Sequence, residues 1–322
     1  MTDYGSLSRR RLLRAGVASV VGLGGVGAAS ATDTSGVDEA TLRDSAERLG
    51  PRDLSGLDDE TETVDAASVP ERSSGIGPGS MLLIERDGTT AGCTANFVWE
   101  DGGAYYLGAA GHCFLADGAV GENTAPDGDD LSNVTVKVGV DDFTFGGFAA
   151  LNGLRGTTYE LGDVVYARQA ADDGTQVGHD FGLVEIPQEA VDAGIVDPSL
   201  PQFGGPTGVV ESGALPSGEP ICQYGNGVGN GEVFPTKGRR GASLGDFGDY
   251  RSWYAALRGS PGDSGSAILG ADPTADPEGT VAAGALTHLT AQGTAGTTIE
   301  RCIEMANEDV GLNIAVVKQG DL

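Results

Sequence analysis

One serine in this chain stands where a hydroxyl could act as a nucleophile. Ser264 lies between Asp263 and Gly265 in the stretch G-S-P-G-D-S-G-S of residues 259–266. A hydroxyl on a tight glycine turn is either an ordinary loop residue or a nucleophile that a neighbouring base activates. Serine beside glycine is uninformative here, because the chain has 54 glycines. The complete G-D-S-G pattern, and a suitable base elsewhere, must decide between the two.

Only three histidines are available as a general base. His112 follows an apolar and aromatic run in L-G-A-A-G-H-C-F, and Asp180 stands at the head of the strand-like sequence H-D-F-G-L-V-E-I. A carboxylate is costly there unless it is hydrogen-bonded, and it could hold an imidazole in one tautomer. His179 is adjacent to Asp180, but neighbouring strand side chains point to opposite faces. We therefore favour His112 as the base.

Four cysteines bear on how the candidate base is held. In an exported protein, a disulfide between Cys93 and Cys113 is expected, and it would fix the loop that carries His112. Cys222 and Cys302 either pair with each other or stay free and buried as small apolar residues.

The elements that must position these residues are short strands separated by glycine and aspartate turns. The predicted strands cover residues 81–85, 94–98, 104–107, 134–140, 164–167, 181–186, 207–210, 220–224, 253–257, 266–269 and 281–286. Many short strands without interleaved helices predict an all-β sandwich or a pair of barrels. A proline- and glycine-rich stretch over 187–206 is typical of a linker between two halves.

One amphipathic helix is predicted near the end of the chain, over residues 298–310. Ile299, Ile303, Ala306 and Val310 fall on one face, and Gly311 can end the helix.

The charge of the chain excludes one class of partner. The sequence carries 47 acidic and 19 basic side chains and a formal net charge of −28. Phosphates would be repelled, so nucleic acid is not expected as a partner. The same surface is typical of an extreme halophile, whose self-repulsion is screened by salt, and an ordinary acidic secreted protein is the alternative.

The N-terminus indicates export. Consecutive arginines in S-R-R-R-L-L-R, a glycine-rich apolar stretch and an A-x-A site predict a twin-arginine signal peptide over residues 1–31. The apolar stretch is shorter than the roughly 20 residues that span a bilayer, so we expect removal of the signal, with a retained anchor as the alternative. Residues 32–74 are acidic and poor in aromatics, which indicates a propeptide or a disordered segment. The folded part is expected to begin near Gly75.

Together, A-A-G-H-C, H-D-F-G-L-V and P-G-D-S-G-S resemble the three signatures of chymotrypsin-like serine proteases, most closely the bacterial streptogrisin and α-lytic protease branch. The similarity covers roughly residues 75–311. It implies an all-β fold of two packed six-stranded antiparallel β-barrels, at about 75–190 and 205–296, with a C-terminal α-helix and the site in the cleft between the barrels.

The resemblance also implies a secreted serine endopeptidase that acts on proteins or peptides as a monomer, through an acyl-enzyme and without a cofactor or metal. Ser264 would attack the scissile carbonyl, His112 would take and return the proton, and Asp180 would orient His112. The backbone N–H groups of Gly262 and Ser264 would form the oxyanion hole. Two alternatives remain: a catalytically silent extracellular binding module of the same fold, and an esterase with the same triad.

The chain departs from the family pattern behind the nucleophile. Ser266 replaces a glycine, and Gln223 stands where bacterial relatives often have an arginine that neutralises Asp263. The candidate partners of Asp263 are four arginines and a new N-terminus near Ile76; the arginines are Arg239, Arg240, Arg251 and Arg258.

By the same resemblance, Arg258, Thr287 and His288 fall near the primary substrate pocket, and a cationic pocket would favour an acidic side chain. The alternative is that Arg258 points to solvent or pairs with Asp263.

Overall fold

A computed structural model describes residues 38–69, 75–115, 131–145, 153–171, 175–232, 234, 236–270 and 280–322. The predicted signal peptide, residues 1–31, lies outside these ranges. Within them, no helix has the length and apolar composition needed to cross a membrane.

Strands dominate the described part of the chain, and the predicted all-β class with a C-terminal helix is confirmed. The strands are β1 (Glu47–Arg48), β2 (Arg52–Asp53), β3 (Asp58–Thr63), β4 (Met81–Arg86), β5 (Thr89–Thr94), β6 (Val98–Asp101), β7 (Ala104–Ala109), β8 (Val134–Phe145), β9 (Gly153–Glu160), β10 (Val164–Arg168), β11 (Phe181–Ile186), β12 (Gly208–Val209), β13 (Pro220–Tyr224), β14 (Gly238–Gly245), β15 (Ser252–Ala256), β16 (Ala267–Gly270), β17 (Val281–Thr290), β18 (Gly293–Thr298) and β19 (Ala315–Val316). The α-helices are α1 (Glu39–Asp44), α2 (Gln188–Asp192) and α3 (Ile299–Val310).

The second half of the chain closes into a six-stranded barrel. Its strands pair in the order β17-β16-β13-β14-β15-β18, and β18 pairs back with β17. All six pairings are antiparallel. The short strands β1 and β12 add to β17 outside this ring. This half corresponds to the predicted second barrel.

The first half is built from two sheets around one core, where a single six-stranded barrel was expected. One sheet has the order β2-β5-β4-β8-β9-β3, and the other has the order β10-β11-β7-β6-β19. Both contribute buried side chains to one apolar cluster. In β8 every second residue, from Val134 to Val140, points into that cluster, as the twofold repeat of a strand requires. Asp87 and Gly88 connect β4 to β5 with φ of 49° and 77°, typical of a two-residue hairpin turn.

Helix α3 begins and ends as its sequence predicts. The hydroxyl of Thr298 accepts the N–H of Arg301 at 3.3 Å, which caps the first turn. Gly311 follows the last turn with φ of 74°, a left-handed conformation that favours glycine. The buried face packs on a cluster that also contains Phe181 and Leu183 of β11. The helix is therefore attached to the strand that follows Asp180.

Ordered structure begins ahead of the predicted start near Gly75. Residues 38–69 contain α1 and three strands that pair with distant parts of the chain. Strand β1 pairs with β17, β2 with β5, and β3 runs parallel to β9 over six residue pairs. Leu42, Leu49 and Leu54 of this segment are at most 2% exposed. The segment thus contacts both halves of the fold.

Cys222 and Cys302 form no disulfide with each other and are both buried in one apolar cluster. Of the two alternatives that the sequence left open, burial as small apolar residues holds. Burial also raises the pKa of the Cys302 thiol well above its ordinary value, which keeps that thiol protonated.

Candidate active site

His112 lies on a single 3-10 turn, Gly111–Cys113, directly after β7. A disulfide between Cys93 and Cys113 ties this turn to the end of β5, with the two Cα atoms 6.4 Å apart. His112 itself is buried. The loop that carries the candidate base is therefore held by a covalent link to the neighbouring strand, and the disulfide expected from the sequence is present.

The His112 ring lies between a carboxylate and a hydroxyl. Its Nδ1 is 2.6 Å from Oδ2 of Asp180, and its Nε2 is 3.0 Å from Oγ of Ser264. The backbone N–H of His112 donates to Oδ1 of Asp180 at 3.1 Å. Asp180 thus accepts from His112 with both oxygens, which fixes the position and the tilt of the ring. His179 is not part of this group, because its ring lies beside Arg301.

Asp180 is completely buried and still ionised. Burial acts to raise the pKa of its carboxyl, but the hydrogen bond and charge of His112 and the Arg48 guanidinium outweigh burial and lower the pKa. Arg48 Nε lies 3.7 Å from Oδ2. The hydroxyl of Thr297 accepts the backbone N–H of Asp180 at 3.2 Å and donates to its carbonyl at 2.9 Å. The carboxylate is therefore fixed by contacts on its backbone and its side chain.

Two glycines shape the loop around Ser264. Gly262 has φ of 98° and Gly265 has φ of 89°, values that residues other than glycine rarely adopt. A Cβ on Gly265 would lie 2.5 Å from the carbonyl oxygen of Thr94, so the loop packs directly on the first half. The hydroxyl of Thr94 also donates to the carbonyl of Gly262 at 2.8 Å. This packing places the Ser264 loop against the turn that carries His112.

Asp263 is paired with Arg239, one of the four arginines that the sequence offered. Arg239 Nη2 lies 2.6 Å from Oδ1 of Asp263, and the carboxylate is fully buried. It also accepts from Gly227, Asn230 and Ser260, at distances from 2.8 to 3.1 Å. A new N-terminus near Ile76 is not needed for this role. The backbone N–H of Ile76 donates to the carbonyl of Ile195 instead.

The two departures from the family pattern contact each other. Gln223 donates from Nε2 to Oγ of Ser266 at 2.6 Å. On the neighbouring strand, Arg239 stands directly opposite Gln223 in the antiparallel register. The arginine that neutralises Asp263 therefore comes from β14, while β13 supplies an uncharged side chain to Ser266.

The three residues that the resemblance placed near the substrate pocket lie in different settings. Arg258 is exposed, and its guanidinium stacks on the Phe234 ring at 3.7 Å from the centroid. Thr287 and His288 are buried and bonded to each other, with Thr287 Oγ1 2.7 Å from His288 Nδ1. Within the described residues, Nε2 of His288 has no hydrogen-bond partner.

His288 gives the fold a predicted pH dependence. Burial lowers its pKa to about 3, with His112 and Arg48 acting in the same direction and Asp180 opposing them. An unfolded histidine titrates near 6.5. The stability that the fold gains by keeping His288 neutral is therefore present above pH 6.5 and is lost as the pH falls towards 3. We expect a loss of about 1.4 kcal/mol of unfolding free energy per pH unit in that window. Urea unfolding of the parent and of His288→Asn between pH 7 and 4.5 should give a shallower slope for the variant; equal slopes would contradict this assignment.

The sequence did not reveal that the N-terminal segment enters this site. The carbonyl oxygen of Leu49 contacts Oγ of Ser264, and the carbonyl of Gly50 accepts the N–H of Gly262 at 3.2 Å. Gly262 is one of the two residues predicted to supply the oxyanion hole. The sequence shows only a leucine and a glycine, Leu49 and Gly50, within an acidic stretch. Composition alone does not predict that such a pair contacts the Ser264 loop.

No family model matches the chain, and no curated protein is significantly similar to it in sequence. Several solved structures are similar to it. Thermobifida fusca Protease A is 17% identical over 75% of this chain and 99% of its own, with a TM-score of 0.38. A thermostable serine protease, AL20, from an extremophilic microorganism is 14% identical over 69% of this chain and 90% of its own, with a TM-score of 0.40. Protease Anisep from Arthrobacter nicotinovorans is 13% identical over 73% of this chain and 98% of its own, with a TM-score of 0.41.

Proposed function

We propose that this protein is a serine endopeptidase that hydrolyses peptide bonds through Ser264, His112 and Asp180. The observation that carries the proposal is the His112 ring, which lies within hydrogen-bond distance of the Ser264 hydroxyl on one side and the Asp180 carboxylate on the other. A nucleophile, a base and a group that orients the base are the three parts that acyl transfer needs.

The proposed reaction has two stages. Ser264 Oγ attacks the carbonyl carbon of the scissile bond while His112 Nε2 takes the hydroxyl proton and then gives it to the leaving amine. Water, activated by the same nitrogen, then hydrolyses the acyl-enzyme and restores Ser264. The N–H of Gly262, with that of Ser264, would stabilise the negative charge on the carbonyl oxygen in both stages. We further propose that the chain is exported through its twin-arginine sequence and acts outside the cell as a monomer.

A fluorophosphonate that labels activated serines tests the proposal. We expect labelling of the full chain in high salt during a long incubation, and no labelling of Ser264→Ala. Because the Leu49 carbonyl contacts Ser264 in the full chain, Leu49→Glu is labelled in parallel, and failure to label this variant when correctly folded would instead favour the silent binding module of the same fold. Parallel assays with peptide and ester substrates separate an endopeptidase from an esterase, because the triad alone supports both reactions.

A further inference from the structure

The backbone of the segment around Leu49 is bound in the cleft as an added strand. Glu47 stands opposite Leu289 and Arg48 opposite His288 in an antiparallel register with β17. The N–H of Leu49 continues this pairing and donates to the carbonyl of Thr287 at 2.9 Å. Extended peptides commonly bind to a sheet edge in this way, with main-chain bonds for affinity and alternate side chains for selectivity. The pairing ends where the Leu49 carbonyl meets Ser264.

The side chain of Leu49 fills an apolar pocket beside the nucleophile loop. Leu49 is 1% exposed and belongs to an apolar cluster with Trp253, Leu257 and Leu286 of the second barrel. A Cβ on Gly259 would lie 3.4 Å from Leu49 Cδ2 and 2.9 Å from Thr294 Cγ2, so the absence of a side chain at Gly259 leaves this space. The pocket is therefore formed by the same loop that carries Ser264.

The charged groups expected near a pocket for acidic residues do not face Leu49. The Arg258 guanidinium stacks on the Phe234 ring at the surface. His288 is bonded through Nδ1 to Thr287 and stays neutral above the acid range. A carboxylate in this pocket would be desolvated without a cationic partner, whereas a leucine side chain gains free energy from burial.

Two arginines of the segment hold it on either side of Leu49. Arg48 donates to the carbonyl of Gln169 at 3.0 Å, and Arg52 Nη1 lies 2.6 Å from Oε1 of Glu232. Both groups of the Arg52 pair are largely buried, with side-chain exposures of 13% and 15%. The position of Leu49 is therefore fixed by contacts with both halves of the fold.

We propose that Leu49 occupies the primary side-chain pocket of the cleft, and that the enzyme takes peptides with a leucine-sized apolar residue immediately before the bond presented to Ser264. This inference rests on the proposed function for the reaction, but occupancy of the pocket by the segment does not. In the full chain, the segment from Glu47 to Asp53 competes with such peptides for the cleft.

Limited trypsin digestion tests the occupancy without any catalytic activity. In the full-length Ser264→Ala chain, trypsin should cut slowly after Arg48 and Arg52, and the Leu49→Met variant should keep that protection. Leu49→Glu should be cut at least about tenfold faster, because cleavage follows the population of the released segment. Leu57→Glu, the same change further along the segment and packed near Leu54, is the matched control and should stay protected at both arginines. Equal cutting of the Leu49→Met and Leu49→Glu variants, or protection retained only by Leu49→Glu, would overturn the pocket assignment.

Peptide substrates test the selectivity. With otherwise identical peptides that release a fluorescent amine, we expect kcat/KM for leucine before the scissile bond to exceed that for glutamate by about 30-fold or more. A glutamate peptide cleaved as well as the leucine peptide would overturn the substrate class and leave the proposed reaction standing. Absence of fluorophosphonate labelling in a folded Leu49→Glu chain, whose segment is released from Ser264, would overturn the proposed reaction and the substrate class with it. The trypsin pattern would then still support the occupied pocket.

Discussion

Asp180→Asn should lower kcat for peptide hydrolysis by about 10⁴-fold, the size of effect known for this change in Ser-His-Asp enzymes. The carboxylate accepts from the backbone N–H of His112 with one oxygen and from the ring Nδ1 with the other. An asparagine amide has a single acceptor oxygen, so one of these bonds is lost. Its NH₂ group would also favour the ring tautomer that presents N–H, and no lone pair, to Ser264.

The matched control is Asp309→Asn, because Asp309 is another carboxylate that is paired with an arginine. Asp309 accepts from Arg168 at 3.0 Å and from the Tyr166 hydroxyl at 2.7 Å, and neither contact involves His112. Its loss should lower stability and leave kcat within about threefold of the parent, because a pair outside the site acts on folding alone. Steady-state rates, measured on chains whose folding is checked by circular dichroism, distinguish the two. A loss below about tenfold in a folded Asp180→Asn chain would remove Asp180 from the proposed mechanism.

Arg239→Leu should destabilise the fold by about 3–5 kcal/mol, because it leaves a buried carboxylate without its cation. Asp263 is fully buried and Arg239 has a side-chain exposure of only 11%, so salt will screen this pair weakly. Urea unfolding at high and low salt measures the change. Arg258→Leu is the matched control, since its exposed guanidinium stacks on Phe234, a contact that should contribute about 1 kcal/mol or less.

A double variant separates the charge from the packing. Asp263→Asn removes the charge and keeps one acceptor oxygen, for the N–H of either Gly227 or Ser260, which now bond to different carboxylate oxygens. Arg239→Leu combined with Asp263→Asn should therefore recover part of the stability that Arg239→Leu loses. If the two losses simply add, the buried charge is not what Arg239 compensates.

The three candidate site residues could be chosen from the sequence because each lies in a local motif. Glycines or an apolar strand lie within a few residues of His112, Asp180 and Ser264 in the sequence. The structure brings the three side chains together. Helix α3 could be predicted equally well from the sequence, since its apolar face repeats within a helix of twelve residues and its cap residues stand directly at the two ends. These features depend on neighbours in the chain, so a single sequence contains them.

The partner of Asp263 could not be chosen in this way. Four arginines were available, and the choice of Arg239 depends on the register of β13 against β14, which places it opposite Gln223. Register follows from the whole barrel. No local feature of the sequence separates Arg239 from Arg240, its neighbour on the opposite face of the same strand.

Several strands escaped prediction because they lack apolar runs. Strand β14 reads G-R-R-G-A-S-L-G and β18 reads G-T-A-G-T-T, so their pairing is set by the strands on either side. Strand β3, D-D-E-T-E-T, has the composition of a solvated segment and still pairs with β9 over its full length. Composition indicated a propeptide or a disordered segment here, because the hydrogen-bonding partner lies far along the chain.

The place of Leu49 in the chain also fixes an order in time. Leu49 precedes Ser264 by 215 residues, so a ribosome completes the proposed occupant of the pocket long before it reaches Ser264. The second barrel, which includes the last strands before α3, can fold only after that point. A newly made molecule therefore never assembles its Ser264 loop before Leu49 is present in the same polypeptide, so the proposed occupant of the pocket is available as soon as the second barrel folds.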